Sequence, residues 1–165
     1  MKQKRDKSPQ GFIDQDILPL LKLINRKYTT TSSCSGRITL MNGVQKGTAQ
    51  WLYKTHGKAS AVNIYKILQK NSPLHFFYEP IILHIQCKEK EEAQALLQKL
   101  QNHGFKKACL RSFKHWTLEI NETGKMETIL TKDLSKEYLS LLVKQANNRL
   151  KKTKESIKKL ETLFL

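Results

Sequence analysis

The sequence predicts an α+β fold: a single domain with a mixed, largely antiparallel sheet flanked by helices, and a long C-terminal helix. Three observations predict it. Apolar residues recur at helical spacing in separate blocks, and strand-like runs outnumber those blocks. Short turn signals such as Asn121-Glu-Thr-Gly124 join neighbouring strand-like runs, as antiparallel hairpins require. The chain has only 7 glycines and no G-x-G-x-x-G or Walker loop, which excludes a standard Rossmann nucleotide site.

From Asp14 to about Lys27, Ile17, Leu20, Leu21 and Ile24 share one helical face. Asp14 suits the N-cap, and Pro19 is tolerable only in the first turn. In YTTTSSCSGRITLM the Tyr/Thr start and the Ile-Thr-Leu-Met end read as strands, separated by a run of small polar residues. MNGVQKG is a turn and TAQWLYKTH a strand. Ser60 to Lys70 is a short helix carrying Val62, Ile64, Tyr65 and Leu68. LHFFYEP and IILHIQC read as two strands broken at Glu79-Pro80, because proline removes a ladder donor.

Lys88 to His103 is the clearest helix: Ala93, Leu96, Leu97 and Leu100 line one face, acids crowd its first turn, and Gly104 stands at C′. KACLRSF, HWTLEI and KMETIL are strands, the last two joined in a hairpin at Asn121–Gly124. A helix from about 135 to 163 places Leu139, Leu142, Val143, Ala146, Leu150, Ile157, Leu160 and Phe164 on one stripe. At ~1.5 Å per residue it is roughly 42 Å long, so its basic distal half is expected along the domain rim or beyond it.

The chain has 165 residues, with 30 Lys and Arg against 14 Asp and Glu, a net charge of +16. One domain, residues 1–165, is expected at this length. Such a surplus of cations costs self-repulsion unless a polyanion is a working partner, and nucleic acid fits better than a membrane surface. No apolar run is long enough to span a bilayer, and the basic N-terminus leads into no apolar stretch. Three cysteines (Cys34, Cys87, Cys109) form no CxxC pair, so a reducing cytoplasm is expected. The densest cations lie in the last helix: Lys144, Arg149, Lys151, Lys152, Lys154, Lys158 and Lys159.

The run TTTSSCSGR, Thr29 to Arg37, is the sharpest chemical feature. Buried hydroxyls need partners, and hydroxyls with free backbone N–H groups ahead of a glycine cradle a carboxylate or phosphate, with Arg37 adding a planar fork. A Thr-rich edge strand followed by an ST-turn explains the same residues structurally. Cys34 has no identifiable base beside it, so covalent catalysis is not expected. His56, His75, His84, His103 and His115 show no ligand spacing, and no metal site is expected. Asp14 and Asp16 read as helix-start acids. His84 sits in the apolar run IILHIQ, where a satisfied structural histidine and a site residue are both readings. His56 lies near a strand end, where polar site residues emerge.

These motifs resemble the tRNA wybutosine-synthesising methyltransferase family of archaea and eukaryotes over about Asp6 to Leu160. The resemblance rests on DKSPQGFIDQDI with ILPLLKLIN, on TTSSCSGRI (Thr30 to Ile38), on Lys46 with Trp51 and His56, and on EPIILHIQC. It continues through Gly104-Phe105, Leu118 to Ile120, and EYLSLLVKQANNRL. Gln10 stands where the family usually has Lys, Ala108-Cys109 replaces a common Ser-Gly, and a Pro-Leu element after Met126 is missing.

The resemblance implies an S-adenosyl-L-methionine-dependent enzyme without a Rossmann fold. Its implied reaction is N-methylation of the wyosine-type tricyclic base 3′ of the anticodon (position 37) in phenylalanine tRNA. On that reading Ser8, Ser33, Ser35 and Gly36 line the cofactor or base pocket, and Arg37 engages a carboxylate or phosphate. Trp51 offers an aromatic face to the flipped base or the sulfonium. His84 takes the proton, kept neutral by apolar surroundings, while His56 orients the substrate. Lys151, Lys152 and Lys154 bind the tRNA. The competing readings are a non-catalytic basic tRNA-binding module and, less favoured, a chromatin or membrane adaptor.

Overall fold

The computed structural model describes residues 14–45 and 47–165. Its elements run in the order of a short 3-10 turn (Gln15–Ile17), α1 (Leu18–Ile24), β1 (Thr29–Asn42), β2 (Gln50–Thr55), α2 (Ala61–Lys70), β3 (Leu74–Gln86), α3 (Lys90–Asn102), β4 (Cys109–Ser112), β5 (Thr117–Asn121), β6 (Met126–Leu130) and α4 (Lys136–Phe164). The strands form a six-stranded sheet ordered β2-β1-β3-β5-β4, with β6 also pairing β3. The pairs β1·β2, β3·β5, β3·β6 and β4·β5 are all antiparallel. The α+β class holds.

The chain divides into two compact units, one comprising residues up to Ser35, Ile81–Thr123 and Glu155–Leu165, the other Gly36–Pro80 and Gly124–Lys154. The first unit buries Ile17, Leu20 and Ile24 with Leu83, Ile85, Leu96, Leu100, Leu118, Ile120, Ile157 and Leu160. Asp14 caps the entry as expected, its Oδ1 accepting from the Asp16 N–H at 3.1 Å, and Pro19 falls in the first turn of α1, where its missing N–H leaves no bond unmade. α3 ends at Gly104, whose φ of +94° is the left-handed C′ position that glycine fills without strain.

The second unit buries Ile38, Leu40, Ile64, Leu68, Leu74, Phe76, Tyr78, Leu139, Val143, Ala146 and Leu150. Each Leu, Ile, Val or Phe among them contributes about 1.5–3 kcal/mol by leaving water. Ser60 caps α2 by accepting from the Asn63 N–H at 3.3 Å.

Four expectations are corrected. First, TTTSSCSGR is not a loop between two strands: β1 runs unbroken through it, and its pairing with β2 begins only beyond it, at Ile38. Second, β3 passes straight through Glu79-Pro80. Its pairing with β6 ends at Tyr78 and its pairing with β5 starts at Ile82, so the proline lies where neither ladder needs a donor. At the same point the inward-facing set changes from positions 74, 76 and 78 to 81, 83 and 85.

Third, β5 and β6 do not form the hairpin that Asn121–Gly124 suggested, since each joins a different stretch of β3; the hairpin is β4–β5, turning through 113–116. Fourth, of the two places expected for the distal half of α4, the one beyond the domain is corrected, because Ile157 and Leu160 are buried in the first unit's core.

Candidate active site

In the first unit Leu83 and Ile85 of β3, and Leu118 and Ile120 of β5, point into the core. Side chains alternate along a strand, so His84 and Glu119, direct cross-strand partners, share the opposite face. There His84 Nε2 lies 2.8 Å from Glu119 Oε2. Arg111 Nε reaches the same oxygen at 3.1 Å, and Asn121 Nδ2 donates to Oε1 at 2.6 Å.

Burial works to raise the Glu119 carboxyl. The hydrogen bonds from His84 and Asn121 and the charge of Arg111 outweigh it and hold the group below the ordinary carboxylate range. An ionised carboxylate only accepts, so Nε2 carries the imidazole hydrogen and the neutral ring has its lone pair on Nδ1. The apolar surroundings expected for His84 are thereby corrected: Leu83 and Ile85 face the core, and the ring faces a carboxylate.

Ser33 and Ser35 also belong to the first unit. Ser35 is fully buried, and its backbone N–H, expected to be open for an anion, donates to Asp14 Oδ2 at 3.0 Å. Ser33 is half-buried on β1. Ser8, like Gln10 and Lys46, lies outside the described residues.

The second unit holds Gly36, Arg37, Trp51 and His56, and draws them together. His56, just past β2, has Nδ1 2.9 Å from the Gly36 carbonyl oxygen; a carbonyl only accepts, so this nitrogen is the donor. Gly36 is needed for close packing as well, for at φ +87° a Cβ there would lie 3.0 Å from Thr153 Cγ2 and 3.2 Å from the Glu79 carbonyl oxygen.

Arg37 donates through Nε to the Glu79 carboxylate, and its guanidinium lies 4.8 Å from the Trp51 ring centroid. Lys54 Nζ lies over the same ring at 4.5 Å. The β1·β2 register slips between Leu40 and Met41, leaving Leu52 as a bulge beside Trp51; bulges re-aim side chains in this way next to functional sites.

Two cations already on the indole disfavour a third, so the Arg37–Trp51–Lys54 group suits a phosphate or a base edge and does not suit a sulfonium. Lys151 and Lys152 are exposed on α4 and Lys154 is half-buried there. Sequence reasoning missed Glu119, Arg111, Lys54 and Glu79. Glu119 left a trace as the single acid inside the apolar run Leu118–Ile120, and Glu79 as the first residue of EPIILHIQC.

A tRNA(Phe) 7-((3-amino-3-carboxypropyl)-4-demethylwyosine(37)-N(4))-methyltransferase 1 of Pyrococcus horikoshii is 36% identical over 166 residues, which is 93% of this chain and 85% of that protein. The tRNA wybutosine-synthesizing protein 3 homolog of Xenopus laevis is 32% identical over 170 residues, covering 94% of this chain and 68% of that protein. Among solved structures, PH1069 of Pyrococcus horikoshii matches with a TM-score of 0.83 at 34% identity, over 94% of this chain and 87% of that one. A hypothetical protein from Aeropyrum pernix matches with a TM-score of 0.75 at 27% identity, over 91% and 98% of the two chains. The family model described as methyltransferase TYW3 matches residues 1–165, and this chain belongs to that family.

Proposed function

We propose that this chain acts as one methyltransferase domain on phenylalanine tRNA, methylating a ring nitrogen of the wyosine-type base 3′ of the anticodon, with S-adenosyl-L-methionine as donor. The observation that carries the reading is the match of the methyltransferase TYW3 family along the whole chain. The relatives' names supply the substrate, and the absence of a Rossmann fingerprint is consistent with the fold.

The residues present fit such a donor. Its carboxylate calls for a planar cation, the kind of group that Arg37 offers. When bound, S-adenosyl-L-methionine supplies an electrophilic methyl group, so the protein's task is chiefly to position the reacting nitrogen. Arg37 holds a carboxylate or phosphate. Trp51, flanked by Arg37 and Lys54, receives the base or its neighbouring phosphate. The proton leaving the nitrogen passes to His84 Nδ1, with Glu119 fixing the ring and balancing its charge. His56, tied to the Gly36 carbonyl, orients the substrate.

A base in the anticodon loop is already single-stranded, which lowers the cost of extracting it. Exposed Lys151 and Lys152, with Lys154, add phosphate contacts. The free cysteines fit a cytoplasmic setting, and among the described residues no helix is long and apolar enough to cross a membrane.

The test is transfer of labelled methyl from S-adenosyl-L-methionine to phenylalanine tRNA isolated from a strain lacking this gene. Label in the base 3′ of the anticodon supports the reading. Tight tRNA binding without any transfer would favour a non-catalytic binding module instead.

A further inference from the structure

The β4–β5 hairpin carries a surface for which the reaction has no use. Phe113 at its tip is 75% exposed, although burying such a ring is among the larger gains a fold makes. The tip is rigidly rooted. Trp116 packs against the first unit's core and holds a left-handed φ of +42°, uncommon for a bulky side chain. Its carbonyl accepts from the Cys87 N–H at 3.2 Å. The Lys114 N–H donates to Ser112 Oγ at 3.3 Å, and Phe113 meets Trp116 edge-on with centroids 6.0 Å apart. Phe113 is thus displayed on a fixed support.

Charge completes the pattern. From Lys106 to Trp116 the chain reads KKACLRSFKHW, with four Lys or Arg and no acid. Lys106, Lys107, Arg111, Lys114 and His115 are all exposed. β4 is an edge strand, and cations on an edge also deter pairing with other chains. That explanation accounts for the lysines and fails for Phe113, since an exposed aromatic at the tip invites association. A ring projecting from a basic turn, beside Lys114 and His115 and beyond the Arg111–Glu119 pair at the hairpin's base, is the combination that binds unpaired nucleotides, with the base on the ring and phosphates on the cations.

We propose that the β4–β5 hairpin is a second RNA-binding element: Phe113 stacks on an unpaired base of the tRNA outside the reacting nucleotide, and Lys114 contacts its phosphate. The proposal rests on the tRNA reading above. It adds a contact in the first unit to the lysines of the second.

The test compares wild-type full-length chain with Phe113→Ala, Phe113→Trp and Lys114→Gln, using fluorescence anisotropy on labelled phenylalanine tRNA transcript, with thermal melts as a check on folding. Because the ring is exposed, Phe113→Ala should melt as wild type does. It should bind tRNA about 5- to 100-fold more weakly, the range of one base–aromatic stack, with an unchanged salt slope. Phe113→Trp should bind as wild type, and Lys114→Gln should reduce the salt slope by about one phosphate. Equal tRNA affinity for wild type and Phe113→Ala would overturn the proposal while leaving the tRNA reading intact. A wild type with no affinity for tRNA would overturn both.

Discussion

The Ser35 backbone N–H donates to Asp14 Oδ2 at 3.0 Å while Asp14 Oδ1 accepts from the Asp16 N–H at 3.1 Å. One carboxylate therefore caps the first helical turn and fixes β1 beside Gly36. Replacing it by alanine removes both bonds, and a lost N-cap alone costs about 1–2 kcal/mol. Asp14→Ala should lower the unfolding free energy from urea titration by at least that amount, moving the midpoint down, and Asp14→Asn, which keeps one acceptor, should lower it by less. An unchanged midpoint would show that the cap contributes nothing.

His84→Asn keeps a hydrogen-bonding side chain but removes the basic nitrogen. A single-turnover methylation assay should show a loss of roughly 10²–10⁴-fold, with tRNA and cofactor affinities retained. Glu119→Gln should fall between that variant and wild type, and His56→Asn should mainly weaken tRNA binding. A His84→Asn rate near wild type would sink the assignment.

Glu119 also sets a pH dependence. Its folded-state pKa is lowered from 4.5, so its ionised form stabilises the fold above that pH and the benefit disappears as pH falls below it. At neutral pH Glu119→Gln should be less stable by about 1–3 kcal/mol through its disrupted hydrogen bonds. The gap should narrow as the pH of the melts is taken below 4.5. A gap independent of pH would contradict the ion pairing described here.

Charge reversal of Lys151, Lys152 and Lys154 together should weaken tRNA binding and leave cofactor binding intact. For wild type, docking on some six phosphates would lose on the order of 10³-fold between low and physiological salt. Unchanged affinity in the triple variant would remove α4 from the docking surface.

The cysteines should separate by reactivity. Burial pushes the Cys87 thiol up to about 11, helped by the nearby Glu92 charge against an opposing contribution from Lys27, and the side chain is 6% exposed. Cys109 is exposed on β4. A maleimide at pH 7 should label Cys109 quickly and leave Cys87 untouched until the chain is unfolded.

What the sequence made legible follows from range. α2, α3 and α4 were readable because one apolar face at helical spacing is a local signal, reinforced by Ser60 and Gly104 at their ends. β1 was split because Thr29 to Cys34 carry no apolar alternation: they lie in the sheet without filling a core. The Asn121–Gly124 turn misled because hairpin chemistry is local, whereas β5 and β6 are placed by different stretches of β3. His84 stood out as one polar residue in an apolar strand. Its partner Glu119 is 35 residues away, and nothing in the chain announces which strand will lie opposite. Arg37 and Trp51 were visible singly, but their stacking depends on the register of β1 against β2.

The change of inward-facing positions along β3 at Glu79-Pro80 makes that strand behave like a message read in two frames. Upstream, even-numbered side chains fill a core, and downstream odd-numbered ones do. Each frame is held by its own antiparallel partner, β6 before the proline and β5 after it. Deleting one residue within either paired stretch would shift that stretch by one place and turn His84 or its counterparts inward. Length between Leu74 and Gln86 is therefore as constrained as composition. Homologues should hardly vary in the number of residues between the two paired stretches.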